Sequence, residues 1–155
     1  MNANKDLVTF IAEIAQILSV IALFLAFYQL YESKYLQLEN NIDTEVGYTM
    51  NLILPCWKEW KGIYYDSQEL KAYDRDFLEK VSIAEDRWNE TLIALNIEGH
   101  AISESAYIDQ LLRQGEYKKI KDKIRNILSE NIDSVLTDFH RSIQQKRIQL
   151  SKRKI

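Results

Sequence analysis

Few residues in this chain have the types and spacing that chemistry requires. The sharpest candidate is Glu13, the only charged side chain in the apolar run Leu7–Tyr31, with Thr9 and Gln16 lying beside it on a helical net. An ionisable group inside a membrane-length segment is by default a functional candidate. It can carry protons or ions within an oligomer, or pair with a basic residue of another helix. The blander reading places it two turns in, reaching for the headgroups or protonated. With no second charge in the run, a conduction path is not supported. Cys56 is the single cysteine, so no internal disulfide is expected, and a packed small hydrophobe beside Pro55 is the default. His100 and His140 stand forty residues apart and offer no local nucleophile–base pair. The acid pairs Asp74/Asp76 and Glu85/Asp86 do not share a helix face, and so read as solvated surface. Asn89-Glu90-Thr91 fits a glycosylation acceptor but falls inside a predicted helix. No glycine-rich phosphate loop, dinucleotide fingerprint or zinc ligand set is present in the sequence. The expectation is therefore no catalytic residues, no metal, no cofactor, and a protein that is not an enzyme.

The element that must position Glu13 is the run itself. Leu7–Tyr31 is 25 residues long and holds fourteen Leu, Ile, Val and Phe. A bilayer core needs about 20 such residues as a helix. At about −0.3 to −0.6 kcal/mol each near the helix centre, they outweigh one off-centre glutamate. A cleaved signal peptide would have a shorter core and a small-residue exit. This run instead ends in Phe27, Tyr28 and Tyr31, rings suited to the headgroup boundary. A buried helix of a soluble protein is the other rival. The run is read as one transmembrane helix.

That helix has two faces. Ala12, Ala15, Ser19, Ala22 and Ala26 follow at spacings of three and four, one continuous stripe. Large side chains such as Phe10, Ile14, Ile17, Leu18, Ile21, Phe24 and Leu25 cover the other side. Small residues let backbones approach closely in lipid, and polar ones bond across the contact. The small face is expected to meet a helix from another copy or another membrane protein, with Glu13 and Gln16 as the intramembrane polar groups.

Beyond the span the helical pattern continues through Tyr35, Leu38, Ile42, Val46, Thr49 and Ile53. Pro55 predicts a kink rather than a stop, because Trp57, Trp60 and Tyr64 keep the helical phase. A turn is expected near Tyr65–Gln68, with Asp66 or Ser67 as the next N-cap. Leu70, Tyr73, Phe77, Val81, Ala84, Trp88, Leu92 and Leu95 then form one stripe. Asn96–Ser103 breaks it, a short helix follows, and Gly115 ends or bends that helix. The last stripe is Ile120, Ile124, Ile127 or Leu128, Val135, Phe139 and Ile143. The expected organisation is a polar tail at 1–6, a transmembrane helix at 7–31, a helical domain at 32–150 and a basic tail at 151–155. Helices are placed at about 32–64, 68–96, 103–114 and 116–150. The predicted class is all-α, one N-terminal transmembrane helix continuing into an antiparallel helical bundle or hairpin. Four glycines and one proline in 155 residues agree with long helices and few turns.

The net charge of −3 argues against general nucleic-acid binding, yet it is unevenly spread. Residues 141–155 carry six Lys or Arg and no acid, leaving 14 bases against 23 acids elsewhere, a net −9. The tail residues Lys146, Arg147, Lys152, Arg153 and Lys154 could attract anionic lipid at about 1 kcal/mol per charge, or pair with an acidic partner. Trp57, Trp60 and Tyr64 form a candidate partner patch, since aromatics dominate interface hot spots, with core packing as the simpler reading. Lys5 and Lys34 flank the span equally. The basic tail and unpaired cysteine favour a cytoplasmic domain.

The motif IAEIAQILSVIALFLAFYQLYESK, Ile11 to Lys34, resembles the start of small bacterial membrane proteins in which an apolar N-terminal span leads into a helical cytosolic segment. The resemblance covers this stretch alone and implies a bacterial or phage setting with N-terminal anchoring; the expected location is the inner membrane, with the helical domain in the cytoplasm. It carries over no functional residues. Two functions are expected to compete. One is a membrane-anchored interaction or accessory protein, binding its partner through the helical domain and the small span face. The other is a small oligomeric effector that alters permeability through Glu13 and Gln16.

Overall fold

A computed structural model describes the backbone of residues 3–153 and the side chains of residues 7–153. Among them every regular element is helical: α1 (Ala3–Gln68), α2 (Arg75–Ala94), α3 (Ser105–Gln114), α4 (Tyr117–Asn126), a π-helical turn (Ile127–Asp133) and α5 (Ser134–Lys152). The chain divides into two compact units, Met1–Ile42 with Arg147–Ile155, and Asp43–Lys146.

The first unit holds the apolar run. Among the described residues one helix is long and apolar enough to cross a membrane, by length and composition: its richest window has mean hydropathy 2.3, and none of that window is buried in the fold. Every residue from Leu7 to Tyr31 is exposed, Phe24 by 72%. The run is therefore not a core helix of this chain. Ser19 donates its hydroxyl to the Ala15 carbonyl at 2.8 Å, so its polarity is satisfied within the helix. Leu150, near the other end of this unit, is buried.

The second unit is built on a single apolar core. Ile53, Cys56, Trp60 and Ile63 of α1 enter it at helical spacing, as do Phe77, Val81, Ala84, Trp88 and Leu92 of α2. Ile108, Leu111 and Leu112 of α3, Ile120 and Ile124 of α4, and Val135 of α5 complete it with Ile102 from the intervening loop. α1 does not stop at Pro55. The carbonyl that Pro55 leaves without a donor belongs to Asn51, and both residues lie on the exposed side of the helix.

Two boundaries differ from the sequence expectation. α1 runs to Gln68, so neither Asp66 nor Ser67 caps the next helix; Asp74 does, its carboxylate accepting the Phe77 N–H at 3.0 Å. Ser67 instead donates to the Tyr64 carbonyl, and Asp66 pairs with Lys80 at 3.0 Å. The apolar stripe misplaced the cap because Leu70 and Tyr73 keep its phase while lying outside the helix. The ambiguity between Ile127 and Leu128 also has a structural reason. Both are buried, and the π-helical turn carries the next core residue on to Ile132. The wider turn absorbs one extra residue and brings the stripe back into register at Val135.

The helix ends are satisfied locally. α2 closes on Asn96 in the left-handed region (φ 53°), with the Ile97 N–H bonded to the Leu92 carbonyl. α3 closes the same way on Gly115 (φ 72°), with the Glu116 N–H bonded to Leu111.

Candidate functional site

The structure places the predicted small-residue stripe on one face of α1. Ala12, Ala15, Ser19, Ala22 and Ala26 are all exposed, as are Glu13 and Gln16. The spacing that grouped them in sequence holds because α1 is helical throughout this range.

The aromatic patch is not presented as a unit. Trp60 is fully buried in the core, so it offers no contact surface. Its indole was assigned to the patch on spacing alone, and the same three- and four-residue rhythm describes the core face of α1. Trp57 and Tyr64 are half-buried and flank that core. Each is engaged by a cation. Lys61 lies 4.7 Å from the Trp57 ring centre, while Arg125 stacks 5.9 Å from Tyr64 and donates to its hydroxyl at 3.4 Å. The Trp57 indole N–H donates to Asp133 at 3.2 Å. Tyr65 leans on Tyr64 with ring centres 5.9 Å apart and stays 59% exposed. The hydrogen bond from Arg125, with further positive charge from Arg125 and Lys121, holds the Tyr64 phenol below its ordinary range. Arg125 left no local signal in sequence, because it and Tyr64 are 61 residues apart, whereas Lys61 stands one helical turn from Trp57, a spacing the sequence does show.

Cys56 is buried and its thiol lies 3.4 Å from the Thr91 hydroxyl. Burial pushes its pKa up, more than the Thr91 contact lowers it, so the thiol is not an activated nucleophile. Asn89, of the glycosylation-type motif, is committed elsewhere. Its amide donates to the Ile102 carbonyl at 2.7 Å and accepts the Ile102 N–H at 2.9 Å. Thr91 of the same motif is buried.

Asn89 belongs to a set of α2 side chains that holds the loop entering α3. Trp88 donates to the His100 carbonyl at 2.8 Å, and Asn131 of the π-helical turn donates to the same oxygen at 3.0 Å. Glu85 accepts the N–H groups of Glu104 and Ser105 at 2.6 and 2.9 Å and the Ser105 hydroxyl at 3.1 Å. A carboxylate at a helix N-terminus satisfies orphan donors and complements the helix dipole. Glu85, read in sequence as solvated surface, is thus the cap of α3.

The basic tail is divided. Lys146 donates to both oxygens of Glu45, at 2.7 and 2.6 Å, in an exposed ion pair. That pairing joins residues 101 positions apart and left no trace in local sequence. Arg147, Lys152 and Arg153 are exposed, and Lys154 lies outside the described residues. Among the described residues no group of three or more His, Cys, Asp or Glu is arranged to hold a metal ion.

Comparison with protein-family models, curated proteins and solved structures finds no match.

Proposed function

We propose that this chain is a single-pass membrane-anchored interaction protein of the bacterial inner membrane, non-enzymatic, with its helical bundle in the cytoplasm. The observation that carries this reading is the run Leu7–Tyr31, which is apolar along its length and exposed at every residue. Exposed contiguous apolar surface on this scale marks a membrane or partner contact. The stripe Ala12, Ala15, Ser19, Ala22, Ala26 gives the helix a face for close approach, and the large residues opposite it suit lipid. The shared core of the Asp43–Lys146 unit supports a bundle whose outer surface recruits a partner. The exposure of Lys152 and Arg153 supports contact with anionic lipid or an acidic surface.

The test is co-purification of the full chain from native membranes in mild detergent, with mass determination. A wild-type complex that is lost in the double substitution Ala15→Leu and Ala22→Leu supports contact through the small face. A complex indifferent to both substitutions overturns it. Glu13→Ala separates the competing reading, an oligomeric effector that alters permeability. Unchanged function in that variant removes the effector, whereas loss of function with the complex intact favours it.

A further inference from the structure

Two short cationic rows on the second unit meet end to end at Tyr64, because the Trp57–Asp133 and Tyr64–Arg125 contacts align α1 antiparallel to α4 and the π-helical turn. On α1, Lys58, Lys61 and Tyr65 share a face at spacings of three and four. On α4, Lys118, Lys121 and Arg125 repeat the same spacing. Tyr64 joins the rows, since Arg125 bonds its hydroxyl and Lys121 bears on its charge. Each row extends about 10 Å along its helix, at 1.5 Å per residue. Among the described residues, none of these four lysines has a carboxylate within ion-pair distance, although acids outnumber bases in the chain by 23 to 20. Asp122 lies 3.4 Å from Arg125, and Asp133 accepts the Trp57 indole N–H.

We infer that this cationic, tyrosine-bearing strip, two rows joined at Tyr64, is the docking face for an acidic polypeptide segment of the partner. The inference rests on the interaction reading and names its site and chemistry. Charge complementarity commits the occupant. An acidic helix with carboxylates at i, i+3 and i+7 repeats the spacing of either row, and Tyr65 offers an exposed ring of the kind that anchors hot spots. Single-stranded nucleic acid fits less well, because stacking needs free aromatic faces and those of Trp57 and Tyr64 are covered by Lys61 and Arg125. A densely anionic lipid surface would also meet the carboxylates of Asp122 and Asp133, which a discrete peptide can straddle.

The experiment places a photo-crosslinking amino acid at position 65 of the full chain in native membranes and identifies the crosslinked species by mass spectrometry. The expected product is a peptide with an excess of Asp and Glu. Its yield falls at least about tenfold in the paired reversals Lys61→Glu and Lys121→Glu. The more exposed pair Lys58→Glu and Lys118→Glu, which touches no aromatic ring, acts in the same direction and guards against a folding defect. Lys71→Glu, at an exposed lysine outside both rows, leaves the yield unchanged. A crosslink to lipid, to nucleic acid or to a peptide without acidic excess overturns the inference, as does a yield indifferent to the reversals. Absence of any crosslink while the co-purified complex persists overturns this site but not the interaction reading. Absence of both removes the interaction reading as well.

Discussion

Replacing Asn89 by Ala is expected to destabilise the second unit far more than its half-buried position suggests. The side chain makes two hydrogen bonds to one residue, accepting the Ile102 N–H at 2.9 Å and donating to the Ile102 carbonyl at 2.7 Å. Ile102 is only 2% exposed, so water reaches these groups poorly once the amide is gone. An unsatisfied buried donor or acceptor costs about 1–3 kcal/mol, which puts the loss at about 2–6 kcal/mol for the pair. That is a large share of a typical domain stability of about 5–15 kcal/mol. The assay is urea unfolding of the full chain in mild detergent, followed by tryptophan fluorescence and helical content. Asn89→Asp sharpens the test, because it keeps the acceptor for the N–H but sets a carboxylate against the Ile102 carbonyl. A carboxylate set against a carbonyl has its folded pKa raised, so the variant regains stability as pH falls through that raised value and in full below the unfolded carboxyl pKa of about 4, where the proton supplies the missing donor. Trp88→Phe removes the neighbouring bond to His100, and its effect should not add simply to that of Asn89→Ala, since both hold one loop. A loss below about 0.5 kcal/mol for Asn89→Ala would refute the claim that this amide holds the loop.

Other outcomes follow from the same geometry. Cys56, buried with a raised pKa, is expected to be alkylated much more slowly than a free thiol at neutral pH and to reach normal rates only on unfolding; rapid labelling of the folded protein contradicts its packing role. Because the folded thiol binds its proton more tightly, its contribution is present below the unfolded pKa of 9.0 and is lost as pH rises through the raised folded value. Tyr64 is expected to ionise before an ordinary tyrosine, visible as an early absorbance change that disappears in Tyr64→Phe and moves to higher pH in Arg125→Gln. Gly115→Ala should cost about 1 kcal/mol in the same urea assay, because φ is 72° there although a methyl group meets no neighbour. An unaltered midpoint would show that α3 does not depend on this closure.

What could be read from sequence depended on whether the signal was periodic or long-range. Phe77, Val81, Ala84, Trp88 and Leu92 announced themselves as one face, and they form the α2 contribution to the core. The rhythm could not distinguish Trp60 from Trp57, since core and flank of α1 share the same spacing and burial is decided by what packs above them. Caps followed a subtler logic. Asp74 was hidden behind an apolar phase that begins before the helix does, and Glu85 caps a helix twenty residues away that no local motif connects to it. The Lys146–Glu45 and Arg125–Tyr64 pairs belong to the same class: tertiary contacts between side chains whose sequence surroundings are ordinary. The long apolar N-terminal helix was legible because length and composition alone define it.

That span is the premise on which the functional reading depends. The most direct measurement is alkaline extraction of membranes that contain the full chain at native abundance, beside a variant with Leu18→Lys and Phe24→Lys in the apolar run. Integral anchoring predicts that the wild-type chain stays wholly in the membrane pellet, and that two lysines, each costing about 2.5–3.5 kcal/mol at the centre of a span, shift the variant into the supernatant. Release of the wild-type chain into the soluble fraction would contradict the account, and the exposed face of Leu7–Tyr31 would then have to be covered by protein.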